Sequence, residues 1–133
     1  MIIGLAAGVG CFVMVTIAKG RFGYDDALDA FGVHGAGGTI GALLTGVFAT
    51  RAVNPIFHDA QGRALPVGWI DGNVSQIGYQ IVGIATAWAF ALVGSTVLLK
   101  ITDLLVGVRA SEDQELEGLD LTEHGEEAYN LEM

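Results

Sequence analysis

A single histidine stands in a glycine-rich, uncharged stretch, AFGVHGAGGTIGALLTGVFAT, in which six glycines fall from Gly32 to Gly46. On a helix, Ala30, His34, Gly37, Gly38, Gly41 and Thr45 fall at three- and four-residue spacings, so one face carries an imidazole and almost no other side chain. That face is a groove. A neutral imidazole has one donor and one acceptor and titrates near pH ~6.5 before burial shifts it, so His34 can hold or relay a proton for a small polar solute. One imidazole cannot form a relay alone. Upstream, Asp29 lies with Asp25 and Asp26 at the helix start, where a carboxylate favours the positive end of the helix dipole and can cap free N–H groups. Small residues also let helix backbones approach closely in lipid, as the Gly37 to Gly41 spacing allows, so the glycines alone do not decide between packing and a pathway. His34 tips the reading toward function, because an ionisable group within a span is costly and ordinarily faces a bundle interior or a pathway.

The elements that must position this face are long and apolar. Uncharged runs cover Met1 to Ala18, Ala30 to Thr50 and Gly72 to Leu99, each near the roughly 20 helical residues that a bilayer core of about 30 Å requires. The expectation is an all-α membrane protein with spans at about 1–18, 30–50 and 76–100, an external loop at 51–75 and a tail at 111–133. The third helix can continue to Arg109, in which case it tilts or projects into solvent. Lys19, Arg21, Lys100 and Arg109 fall on one side of the spans and Arg51 and Arg63 on the other. This asymmetry favours a cytoplasmic tail, and with three spans the expectation is a multi-pass protein of the cell membrane. The 51–75 connection holds Asn54-Pro55, Gly62, Pro66 and Asp71-Gly72, which is turn chemistry. Trp69 and Tyr79 read as interfacial anchors, and Trp88 as packing against a neighbouring helix. The first apolar run begins at once and ends in Lys19-Gly20-Arg21, unlike a secretory signal, and suggests a missing upstream part.

Composition narrows the function classes. The 133 residues are 52% hydrophobic and 16% charged, with 20 glycines; a soluble domain averages roughly 25% charged and about 7% glycine. Of the formal charge of -9, nine acids lie in Ser111 to Met133, where there is no Lys or Arg, while residues 1–110 balance six against six. Nucleic acid phosphates find no basic surface here. Cys11 has no partner for an internal disulfide. No phosphate loop, nucleophile with a base or metal-ligand spacing occurs, so the reading is of a non-enzyme with no metal and no cofactor.

The run DDALDAFGVHGAGGTIGALLTGVFAT resembles the tenth transmembrane helix, with its approach, of the ammonium transporter family. ELEGLDLTEHGEEAY resembles that family's C-terminal signature, with DLLVGVR between the two. The resemblance implies the last third of an eleven-span protomer built from inverted halves and assembled as a homotrimer with a pore through each protomer. His34 matches the second of the family's paired pore histidines, and Asp29 the acid at the start of the same helix. On this reading the small residues of the pore face would be Gly37, Gly38, Gly41 and Thr45. The implied activity in nitrogen metabolism is recruitment of ammonium, loss of its proton, passage of ammonia through a narrow apolar pore and separate proton transfer. A bare cation is penalised in hydrocarbon, whereas ammonia needs only a hydrogen-bond partner.

By composition alone the acidic tail reads as a solvated arm. Leu116, Leu119, Leu121, Tyr129 and Leu131 nevertheless offer apolar anchors, and Lys19, Arg21 and Arg109 offer complementary charge. The resemblance implies a regulatory tail in which Gly118, Leu119, Asp120, Thr122, His124, Gly125 and Tyr129 match the signature. It also implies coupling between subunits, a PII signalling protein as partner, and a phosphorylation site at Thr122. His124 and His58 read as solvated. Two further classes stay open: a small membrane scaffold whose glycine face only packs helices, and an ammonium sensor that signals through its tail.

Overall fold

The computed structural model describes residues 1–126. Tyr129 and Leu131 lie outside the described residues. Among the described residues, three helices are long and apolar enough to cross a membrane: α1 (Ile2–Phe22), α2 (Phe31–Phe48) and α3 (Ser75–Val106). A short α4 (Glu112–Glu117) follows. Among the described residues the fold is all-α, with one isolated antiparallel bridge between His58 and Ala64. The chain divides into two units, Met1–Trp88 and Ala89–Met133.

In the first unit, α1 ends where Gly23 turns left-handed at φ 62° and its N–H bonds the Lys19 carbonyl. A glycine takes this geometry without the Cβ clash that penalises other residues. α1 and α2 pack through small residues. A Cβ added at Gly37 would lie 2.7 Å from Cys11 Sγ, and one at Gly32 would lie 2.8 Å from Val15 Cγ2. Gly10 likewise leaves room for the Ile40 side chain. In lipid the hydrophobic effect does not drive helices together, so such close backbone approach and its dispersion contacts hold them. α2 meets the start of α3 at Gly46, which is buried against Gln80.

The connection between α2 and α3 is held by two aspartates. Asp71 accepts from Thr50 Oγ1 at 2.7 Å and from the Arg51 amide at 2.9 Å. Asp59 accepts from the Gln61 and Arg63 amides and from Arg63 Nε at 2.6 Å. These side-chain bonds satisfy backbone donors that the turn leaves unpaired.

In the second unit, α3 runs on to Val106 and Gly107 closes it with φ 76°. Ser111 starts α4 with a reciprocal cap: its hydroxyl accepts from the Gln114 amide while the Gln114 side chain accepts from the Ser111 amide. Arg109 adds a two-pronged pair to Glu115 at 3.0 and 3.2 Å. The tail therefore contains ordered local structure where composition alone reads as a solvated arm. A single wide helical turn, Asp120–His124, follows and ends at Gly125 with φ 66°.

Candidate functional site

The site is built on the start of α2. Three carboxylates precede it, and the structure divides their work. Asp26 caps the helix: its carboxylate accepts from the amides of Ala30 at 2.8 Å, Phe31 at 3.0 Å and Gly32 at 3.4 Å. These are donors that a helix start leaves without partners, and a negative charge there also complements the helix dipole. Asp29 does something else. Its backbone is left-handed at φ 56°, its carbonyl accepts from the Val33 amide, and its carboxylate lies 2.7 Å from Lys19 Nζ.

The first turn of α2, Phe31–Gly35, is a wide π-type turn, and His34 sits in it. Such turns are uncommon and recur at functional sites. A second one, Met14–Ala18, lies in α1. Sequence periodicity did not reveal either, because the widening changes the backbone ladder without changing which residues are apolar.

From this turn an open face runs along α2. His34, Gly38 and Thr45 are exposed, and a Cβ added at Gly38 or Gly41 would meet nothing within 4 Å. Gly37, expected on the same face, is turned toward α1 and holds the Cys11 sulfur. The reason is angular: at 3.6 residues per turn, three steps from His34 leave Gly37 about 60° off the face, whereas seven steps return Gly41 almost to it. Thr45 also borders an open cavity of about 560 Å³ whose walls include Phe48, Asn54, Phe57, Leu65 and Gln76.

The flank of the His34 turn beside this face is gripped by aromatics. Phe31 meets Tyr24 edge-on at 5.6 Å and Trp88 edge-on at 5.7 Å. Trp88, near the middle of the third apolar run, thus packs on α2. Trp69 and Tyr79 are exposed, as are His58 and His124.

In the second unit, Thr122 is half-buried and its hydroxyl donates to the Gly118 carbonyl at 3.0 Å. Gly118 has φ 107°, and Leu119, Asp120 and His124 are exposed on the turn that follows. No group of three or more metal-ligating side chains occurs among the described residues.

Among the described residues, an all-helical arrangement with three helices of bilayer length defines the class of a helical membrane protein. The profile of the Ammonium Transporter Family matches residues 1–129. The chain is 47% identical over its whole length to an ammonium transporter of Bacillus subtilis, of which it covers 31%, and 43% identical over 97% of its length to one of Aquifex aeolicus, of which it covers 28%. The crystal structure of Saccharomyces cerevisiae Mep2 superposes with a TM-score of 0.69 at 34% identity, over 83% of this chain and 24% of that one. The chain belongs to the ammonium transporter family. It spans under a third of the length of these curated relatives.

Proposed function

We propose that this chain supplies one wall of an ammonium-conducting pore, as the C-terminal third of a transporter whose remaining helices complete the pathway. The observation that carries this reading is the open face of α2, where the imidazole of His34 stands above Gly38 and Gly41 with no atom filling the space beside them. Ammonium sheds its proton at the mouth, and neutral ammonia passes along the bare face. His34 lends it a hydrogen-bond partner and, with a second histidine on another helix, moves the proton separately. Apolar walls exclude hydrated sodium and potassium by the cost of stripping their water. In this reading the transporter is a homotrimer of the cell membrane with a cytoplasmic C-terminus. The tail from Gly118 to Tyr129 gates the pore and meets a PII signalling protein on the cytoplasmic face.

The test is uptake of radiolabelled methylammonium by a complete transporter in which this chain replaces the matching stretch of the Bacillus subtilis relative. His34→Ala is expected to abolish uptake or strongly alter its pH dependence while the protein still reaches the membrane as a trimer. Unchanged uptake at several pH values takes His34 out of the pathway.

A further inference from the structure

Trp88 does more than fill space. Its indole Nε1–H donates to Thr39 Oγ1 at 2.9 Å, and the Thr39 hydroxyl gives its own proton to the Gly35 carbonyl at 2.7 Å. A hydroxyl has one proton to give and lone pairs to receive with, so both bonds form at once and run in one direction, from indole to hydroxyl to carbonyl. That carbonyl belongs to the residue after His34. The same indole stands edge-on to Phe31 at 85°, and the Phe31 ring covers Gly35, where an added Cβ would lie 3.0 Å from Phe31 Cδ2. Phe31, Gly35 and Thr39 succeed one another at four-residue steps and form the flank of α2 beside the His34 face.

The His34 ring has no hydrogen-bond partner among the described residues. Its bearing is therefore set by the backbone turn that carries it. Trp88 reaches that turn from α3 directly through the Phe31 ring and, one helical turn further on, through the Thr39 hydroxyl that bonds the Gly35 carbonyl. In lipid the polar contact has no water to compete with it, and a polar group left unpaired there is costly.

We propose that Trp88 and Thr39 are positioning residues for His34: they pin the wide turn of α2 to α3 and fix the rotation at which the imidazole meets the solute path. The effect on transport rests on the reading of His34 given above; the positioning itself does not and is measured without transport.

The experiment uses the full 133-residue chain in lipid nanodiscs, with tryptophan and histidine isotopically labelled and followed by NMR. Thr39→Val keeps the shape and removes the hydroxyl. It is expected to speed exchange of the Trp88 indole proton roughly tenfold and to shift the His34 ring signals. Trp88→Phe keeps an aromatic ring against Phe31 and removes the N–H, and it should shift the same His34 signals. Thr39→Ser restores the donor and acceptor and returns the wild-type spectrum. His34 signals that stay in place in both Thr39→Val and Trp88→Phe overturn the proposal.

In the chimaeric transporter, Thr39→Val and Trp88→Phe should lower the maximal uptake rate about tenfold with the apparent KM little changed, and Thr39→Ser should restore it. If His34→Ala leaves uptake intact while the NMR shifts appear, the pore reading falls and the positioning stands. If His34→Ala abolishes uptake while the Thr39 and Trp88 variants leave rate and spectra unchanged, the positioning falls and the pore reading stands.

Discussion

The ammonium of Lys19 lies 2.7 Å from the carboxylate of Asp29 and donates also to the Asp26 carbonyl at 2.6 Å, so one side chain ties the last turn of α1 to the start of α2. The two side chains are 31% and 35% exposed, and a pair that wet contributes only weakly to stability. A double-mutant cycle of Lys19→Met and Asp29→Asn, read by denaturant unfolding in detergent, should give a small coupling that shrinks with added salt. Asp26→Ala should cost more, about 1–2 kcal/mol, because three amides lose their acceptor together. A coupling larger than the Asp26→Ala effect would reverse this ranking of the two aspartates.

The glycines of α2 fall into two groups with opposite expected behaviour. Gly37 holds the Cys11 sulfur, and a side chain there must displace α1; Gly41 opens onto empty space. Gly37→Leu should therefore lower the unfolding midpoint clearly, as overpacking by about 1–3 kcal/mol does. Gly41→Leu should leave the midpoint almost unchanged yet block methylammonium uptake in the chimaeric transporter. Full uptake through Gly41→Leu would show that the open face is not the path.

Much of this arrangement was legible in the residues themselves. Three long apolar runs separated by charge can satisfy their backbone in lipid only as helices, so the all-α fold followed from composition and run length. The stripe through His34, Gly38, Gly41 and Thr45 followed from helical periodicity. Three features did not. Spacing could not say which of Asp25, Asp26 and Asp29 caps α2, because that depends on the left-handed bend at Asp29. The placement of Gly37 depends on where α1 lies. The bond from Trp88 to Thr39 joins residues 49 apart and has no local signal.

Acid should loosen the loop between α2 and α3. The Thr50 hydroxyl, then the Arg51 amide, hold the Asp71 carboxyl below its ordinary range against the weaker upward push of burial, with the Arg51 guanidinium at 3.5 Å adding to the effect. The fold thus stabilises the ionised form. Its contribution is complete above the unfolded value near pH ~3.9 and fades as pH falls through the lower folded value. NMR titration of Asp71 should place its midpoint below that unfolded value, and Thr50→Val should move the midpoint upward. The Arg51 amide should lose protection from exchange over the same acid window. A midpoint at the ordinary value, unmoved by Thr50→Val, would remove Asp71 as the clasp of this loop.

The tail turn offers a last test, and it separates geometry from charge. Gly118 has φ 107°, and an added Cβ would meet Asp120 Oδ1 at 2.8 Å, so Gly118→Ala meets both backbone strain and a clash. Thr122 holds the same turn by donating to the Gly118 carbonyl, and its neighbour Glu123 accepts from the Gln114 side chain at 3.2 Å. A phosphate on Thr122 removes the donated proton and sets new negative charge beside Glu123. Thr122→Val should therefore open the turn by about 1 kcal/mol, the usual worth of one such bond. Thr122→Glu should open it further, and only its effect should shrink with added salt. Amide exchange at Thr122 and Gly125, whose N–H groups bond the Gly118 and Leu121 carbonyls, reports the opening. If Gly118→Ala and Thr122→Glu respond alike to salt, charge has no part in holding this turn and a phosphate switch here loses its basis.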